Sequence, residues 1–444
     1  MEKIIIKNFG PIKDIELEIK DINVFIGSTS SGKSTVAKLI SIFRDSAELI
    51  YTDDFNIVEE LLSDYNINYS IQEETYIEYR KDEYSLKVRS KEVISNLPFK
   101  GLASAIDPSR EMTPVLLSLI KSIMDGKASV NKLISLALLF LDSYDFDKIE
   151  VQPEVGDKKV ERFRELIEKV KINKDQLIKG TGYSLDETMS YMAEINDIVM
   201  RPFGSGKIIY IPAERILLSL VAESIFGLMD NDVSIAKCIK KFGNRLESAR
   251  KKNSMFSIPF LGIDYMYSEK ANFVTFSDGA KVKLEQASSG LQSIIPLLLV
   301  VESNTIGEKA VKNCFVIEEP ELNLYPTIQK ELIEFIVERI NKSKDKLIIT
   351  THSPYVLTSL DNLIQASNAA KTSPDQKEKV AEIVPEEKWV DFDRVSCYYF
   401  EDGTCRSTLD TENQTIGASN IDDVSEELGK TFDQLLEFKY ADVS

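Results

Sequence analysis

Residues 3–27, 'KIIIKNFGPIKDIELEIKDINVFIG', alternate apolar and polar positions around a Gly-Pro pair, which predicts two strands feeding a third, apolar one. This pattern reads as a sheet edge leading into a core strand. Residues 68 to 89 alternate again, with 'RKDE' at a turn, and predict a hairpin. Between about 100 and 205 the period becomes helical, as in 'VERFRELIEKVKINKDQLIKG' and 'SLDETMSYMAEINDIVM', so this block reads as a helical insertion. Sustained heptads are absent, which argues against a long coiled-coil arm. At 206–220, 'GKIIYIPAERILLSL', a β run ends at Pro212 and a helix begins, returning the chain to a core sheet. Two more short apolar runs, Cys314–Ile317 and Leu347–Ile349, have the continuous character of strands buried on both faces. Residues 394–407 read as strand, turn at Asp402-Gly403, and strand. These elements together predict an α/β protein.

Composition supports a folded chain: 43% of the 444 residues are hydrophobic. The longest apolar run outside the strands, 'LISLALLFL' at 133–141, is about half of what a bilayer requires, so no membrane span is expected. The opening residues lack an apolar segment followed by a small-residue cleavage site, which speaks against secretion. Four scattered cysteines, Cys238, Cys314, Cys397 and Cys405, form no C-x-x-C pair. Cytoplasmic residence is the expectation. A formal net charge of −18 opposes general adhesion to nucleic acid, although 'KCIKKFGNRLESARKK' at 237–252 gathers seven basic residues on a predicted helix. A solvated helix face is the simpler reading of that run.

The chemistry begins at 'NVFIGSTSSGKSTVAKLI', residues 23–40, where a strand meets a small-residue loop and a helix. Gly27, four residues, Gly32, Lys33 and Ser34 have the full P-loop spacing. Backbone N–H groups of Gly27, Ser28, Thr29, Ser30, Ser31, Gly32 and Thr35 can close on phosphate oxygens while the helix dipole faces the same anion. Lys33 is spaced to reach the β- and γ-phosphates of ATP, and the Ser34 hydroxyl to ligate Mg²⁺.

Three downstream segments complete the pattern. In 'KNCFVIEEPELNLYP', 312–326, an apolar strand delivers Glu318 and Glu319 to its C-terminal end, a Walker B arrangement. Glu318 would hold Mg²⁺, and Glu319 would polarise the attacking water. In 'KLIITTHSPYVLTSL', 346–360, the chain's one histidine, His352, stands at a strand mouth where an imidazole can hydrogen-bond phosphate or that water. In 'LEQASSGLQSIIPLLLVVES', 284–303, Ser288, Ser289 and Gly290 precede an apolar helix. Alone, that is an ordinary N-cap.

In this order, the four segments resemble the ABC-class ATPases of the OLD-like and RecF/SMC-related group. The opening strands and 'YIPAER' are similar to the same group. The resemblance implies a two-lobed ABC-type P-loop ATPase head with a mixed central sheet, an antiparallel β lobe and a helical insertion. It would form one ATPase domain over 1–444, with an N-terminal lobe at 1–41, hairpin and insertion at 42–205, and a second lobe at 206–444. It also implies that Gly27 to Thr35 bind nucleotide, that Ser288 to Gly290 cap the γ-phosphate of a second subunit, that Glu319 is the base and that His352 is the switch. The working unit would be a homodimer or higher homo-oligomer with ATP at the interface. Departures are the loop 'STSS' without the usual Asn, Tyr325 where a His commonly precedes the Pro, and no assignable Q-loop glutamine, Gln72 being only a weak fit. The 'DFD' at 391–393 reads as a solvated turn, because no apolar strand ending in Glu-Gly precedes it, so no nuclease is assigned. Two roles compete. One is a regulatory subunit of an anti-phage defence system with a separate nuclease or toxin effector, similar to the ATPases of PARIS or Septu. The other is a RecF-like repair ATPase that binds DNA directly.

Overall fold

The computed structural model describes residues 1–45, 55–96 apart from 70 and 83, 206–220, 235–306, 312–417 and 423–440, with Arg162, Glu165 and Lys169 between. The predicted helical insertion at 100–205 and the run 'LISLALLFL' otherwise lie outside the described residues. No described helix is long and apolar enough to cross a membrane.

A six-stranded mixed sheet forms the centre. It contains β3 (Ile22–Gly27), β7 (Ile208–Ile211), β12 (Cys314–Glu318), β13 (Lys346–Thr351), β14 (Val395–Glu401) and β15 (Thr404–Ser407). Their order is β15-β14-β3-β13-β12-β7; only the edge strand β15 runs antiparallel. The apolar runs follow from burial on both faces. Alternate residues point into two separate cores: Val24, Ile317 and Ile349 into one, Phe25, Val316 and Ile348 into the other. The first core is closed by helices α5 (Ser289–Thr305), α6 (Pro326–Ser343) and α7 (Pro354–Ala370). The second is closed by α1 (Lys33–Asp45) and an antiparallel sheet ordered β2-β1-β4-β5-β6.

That sheet is the antiparallel β lobe implied by the resemblance. β1 (Glu2–Phe9) and β2 (Ile12–Glu18) do not extend the sheet containing β3; β1 pairs instead with β4 (Tyr76–Lys81). The predicted hairpin is therefore β4 and β5 (Tyr84–Arg89), with β6 (Glu92–Ser95) beyond it. A second antiparallel sheet, of β8 (Met255–Ile258), β9 (Ile263–Ser268), β10 (Ala271–Phe276) and β11 (Lys281–Lys283) in the order β11-β10-β9-β8, had no counterpart among the sequence expectations. Its segments alternate in the strand period and end immediately before the segment 284–303. The basic segment forms α4 (Lys237–Lys252), following α2 (Phe55–Asp64) and the short α3 (Ile216–Leu220).

Beneath α1, the two sheets are joined by a buried ionic cluster. Glu2 is 5% exposed and accepts from Arg44 at the end of α1 (2.7 Å), from Lys346 at the start of β13 (2.9 Å) and from the Tyr79 hydroxyl on β4. Burial pushes the Glu2 carboxyl up, but the charges of Arg44 and Lys346 and the Tyr79 hydroxyl outweigh it and hold it below the usual carboxylate range.

Candidate nucleotide site

The P-loop connects β3 to α1, and two glycines make that connection possible. Gly27 has φ +146°, and a Cβ there would stand 2.0 Å from the Phe400 carbonyl oxygen of β14. Gly32 has φ +102°, where a Cβ would meet Ile12 Cγ1 at 2.9 Å. Both backbones favour glycine. Ser30 between them is also left-handed, at φ 62°. Lys33 is 4% exposed, and its Nζ donates to the carbonyls of Gly27 (2.9 Å) and Ser28 (2.7 Å) and to Ser31 Oγ (3.3 Å). Burial pulls the ammonium down to about 8, with the Glu319 and Glu321 carboxylates opposing. That opposition puts the Walker B turn within electrostatic reach of the P-loop lysine.

The sheet explains this convergence. β13 lies directly between β3 and β12, so the C-terminal ends of these three parallel strands present Gly27, His352 and Glu318-Glu319 along one edge. Ligands collect at such strand ends in open α/β sheets. Glu318 is 2% exposed, and burial pushes its carboxyl up to about 7, with Lys38 opposing and Glu214 adding. Its Oε1 is buried without a hydrogen-bond partner, and the neighbouring Tyr210 and Ser34 hydroxyls temper the Glu318 shift. An unpartnered buried carboxylate oxygen beside a hydroxyl is a hard-oxygen donor set that fits Mg²⁺, an ion bound through few protein carboxylates. Among the described residues no group of three or more acidic, His or Cys side chains competes for the ion.

Glu319 turns sharply away from the strand, with φ 42° and its N–H donating to the Thr350 carbonyl at 2.9 Å. Its Oε1 reaches 3.5 Å from His352 Nε2, and both side chains are partly open to solvent. Glu321, to which the sequence reading gave no role, anchors the histidine loop. Its Oε1 accepts from Thr351 Oγ1 and from the His352 backbone N–H, both at 2.7 Å. The spacing 'EEPE' was the available signal for it. Arg215 was missed as well; a charged residue between the apolar runs of 'YIPAERILL' could have marked it.

Ser288 caps α5, its hydroxyl accepting from the Leu291 N–H at 3.5 Å; the helix begins at Ser289, so Ser289 and Gly290 lie in its first turn. Gly290 packs against the turn that follows the paired carboxylates, where a Cβ would stand 2.9 Å from the Asn323 carbonyl oxygen. Among the described residues no hydrogen bond links Ser288–Gly290 to residues 27–35. Gln72 sits on the turn before β4, its backbone N–H bonded to Thr75 Oγ1.

Among solved structures, the chain is similar to the Smc head domain of Pyrococcus furiosus bound to the C-terminal domain of ScpA, at 12% identity over 92% of this chain and 96% of that one, with a TM-score of 0.35. It is also similar to the SMC head domain of Thermotoga maritima, at 12% identity, 91% and 97% coverage and a TM-score of 0.32. The recombination mediator protein RecF gives 12% identity, 91% and 97% coverage and a TM-score of 0.30. No curated protein matches the sequence. The model of the AAA_15 family, AAA ATPase domain, matches residues 1–357 and so spans the P-loop, the paired carboxylates and His352. The chain belongs to this family of ATPase domains.

Proposed function

We propose that the chain is a Mg²⁺-dependent, ABC-type ATPase that works as a homodimer or higher homo-oligomer, with ATP held between the P-loop of one subunit and Ser288–Gly290 of another. The observation that carries this reading is the meeting of β3, β13 and β12, which sets Lys33, His352 and Glu319 around one edge. Gly27 to Thr35 cradle the phosphates, and Lys33 supplies the cation for the β/γ oxygens. Ser34 and Glu318 would hold Mg²⁺, which would neutralise phosphate charge. Glu319 takes a proton from the attacking water, and His352 orients that water or the γ-phosphate. Ser288–Gly290 offer a second helix N-terminus for an anion, one that does not bond the P-loop of its own chain.

In its biological role the ATPase acts as the sensor or regulatory subunit of an anti-phage defence system, in the cytoplasm and with a separate nuclease or toxin as effector. The resemblance of the motif set supports this, together with the acidic balance of −18. The competing DNA-binding reading rested on the basic segment in α4, where three of the seven basic side chains are engaged locally. Lys237 pairs with Asp64 at 2.8 Å, Lys251 with Glu247 at 2.8 Å, and Lys252 donates to the Ser303 carbonyl at 2.6 Å. Light scattering with and without Mg-ATP tests the sandwich: the wild type should associate with ATP, and Gly290→Asp should not. Equal association of both proteins removes it. Pull-down from the host with Glu319→Gln should recover a second protein; a steep salt dependence of duplex DNA binding would favour the repair role instead.

A further inference from the structure

We infer that Arg215 is a positioning residue for hydrolysis, holding the catalytic turn in the backbone conformation that aims Glu319. The inference rests on the ATPase reading above and adds a residue to it. Arg215 is 0% exposed, among the largest fully enclosed side chains of the described residues. A guanidinium has five N–H donors, and every one is used here on a main-chain carbonyl. Nε donates to Ser293 (3.0 Å), one Nη to Pro212 (3.2 Å) and Glu318 (2.8 Å), and the other to Glu319 (2.8 Å) and Pro320 (3.2 Å).

Three of these acceptors are consecutive. An extended strand alternates the direction of successive residues, so carbonyls 318, 319 and 320 can converge on one group only if the chain turns between them. The turn is the left-handed Glu319, at φ 42°. That conformation is costly for a residue with a Cβ and persists only where its surroundings over-determine it. Arg215 supplies that constraint, and the result is the 3.5 Å approach of Glu319 to His352. The fourth acceptor, Ser293, lies in the second turn of α5, the helix that begins at Ser289. One side chain therefore fastens the Glu319 turn to the helix whose N-terminus faces a second subunit's nucleotide in the sandwich. Glu321, Glu319 and Glu318 offset the burial of the charge.

Arg215→Lys tests the inference, because three donors cannot serve five carbonyls. ATP affinity, set at the P-loop, should stay within about threefold of the wild type, while kcat falls by about 10²-fold, the loss a small misplacement of a reacting group brings. The decisive readout is the double variant. In a Glu319→Gln background the same substitution should lower residual turnover by less than about twofold, since a residue acting through Glu319 has nothing left to position. An equal loss in both backgrounds overturns the inference. Pro320→Gly loosens the same turn while leaving the Arg215 side chain itself and every carbonyl acceptor in the sequence, and it should show the same background dependence even if Arg215→Lys does not fold. Undiminished kcat for Pro320→Gly overturns the inference too. A wild type that binds ATP without hydrolysing it would instead overturn the ATPase reading itself.

Discussion

His352 Nε2 and Glu319 Oε1 lie 3.5 Å apart at the mouths of adjacent parallel strands, although 33 positions separate them in the chain. The histidine's own backbone N–H is fixed by Glu321 at 2.7 Å, so the pair is held from both sides. If Glu319 is the base proposed above, Glu319→Gln keeps the shape of this pair but removes the proton acceptor, so turnover should drop by about 10² to 10⁴-fold while ATP binding persists. His352→Ala should lose less, since the proposed role of the imidazole is to orient the water or phosphate rather than to take the proton. Steady-state phosphate release alongside equilibrium nucleotide binding measures both, and an unchanged rate in Glu319→Gln would move the base elsewhere.

Lys33 reaches its present position by burying its stem and bonding three P-loop oxygens. Lys33→Ala should weaken ATP binding by about 10- to 100-fold, the worth of about one charge-assisted hydrogen bond. Calorimetric titration with ATP checks this, and wild-type affinity in the variant would place the phosphates elsewhere.

Glu318 carries a pH signature of opposite sign to the usual carboxylate. Burial raises its carboxyl from 4.5 to about 7, so the folded state holds a proton that the unfolded chain releases first. Stability therefore falls as pH rises from about 4.5 to about 7, and the full cost, about 3 kcal/mol for a shift of this size, is present above that range. In Mg²⁺-free buffer, Glu318→Gln should be more stable than the wild type at pH 8 and nearly equal at pH 4.5. A variant less stable at pH 8 would contradict this.

Glu2 behaves in the usual direction. Its depressed carboxyl contributes stability that is present above the unfolded value, about 4.3, and is lost as pH falls through the folded one. Glu2→Ala leaves Arg44 buried without its carboxylate partner, which should cost about 3–5 kcal/mol. Chemical denaturation at pH 7 measures the loss, and a cost below about 1 kcal/mol would show that Tyr79 and solvent suffice for Arg44.

The local parts were legible in the residues alone. A strand, a glycine-bounded loop and a helix carry their spacing within residues 23–40, and the apolar runs before Glu318 and His352 announce strands buried on both faces. The fold class was legible for the same reason, since period and turn chemistry act over a few residues. Which groups stand beside each other came from packing between distant segments. Asn23 on β3 donates to the Leu347 carbonyl across 324 residues, and β1 leaves the neighbourhood of β3 to pair with β4. Such pairings are set by mutual burial between distant segments, for which neither segment alone carries a mark. The left-handed backbone of Glu319, the five carbonyls gathered by Arg215 and the anchoring of His352 by Glu321 belong to that second kind. Each depends on groups made neighbours by the strand order, and strand order is a property of the packed sheet rather than of any window of sequence.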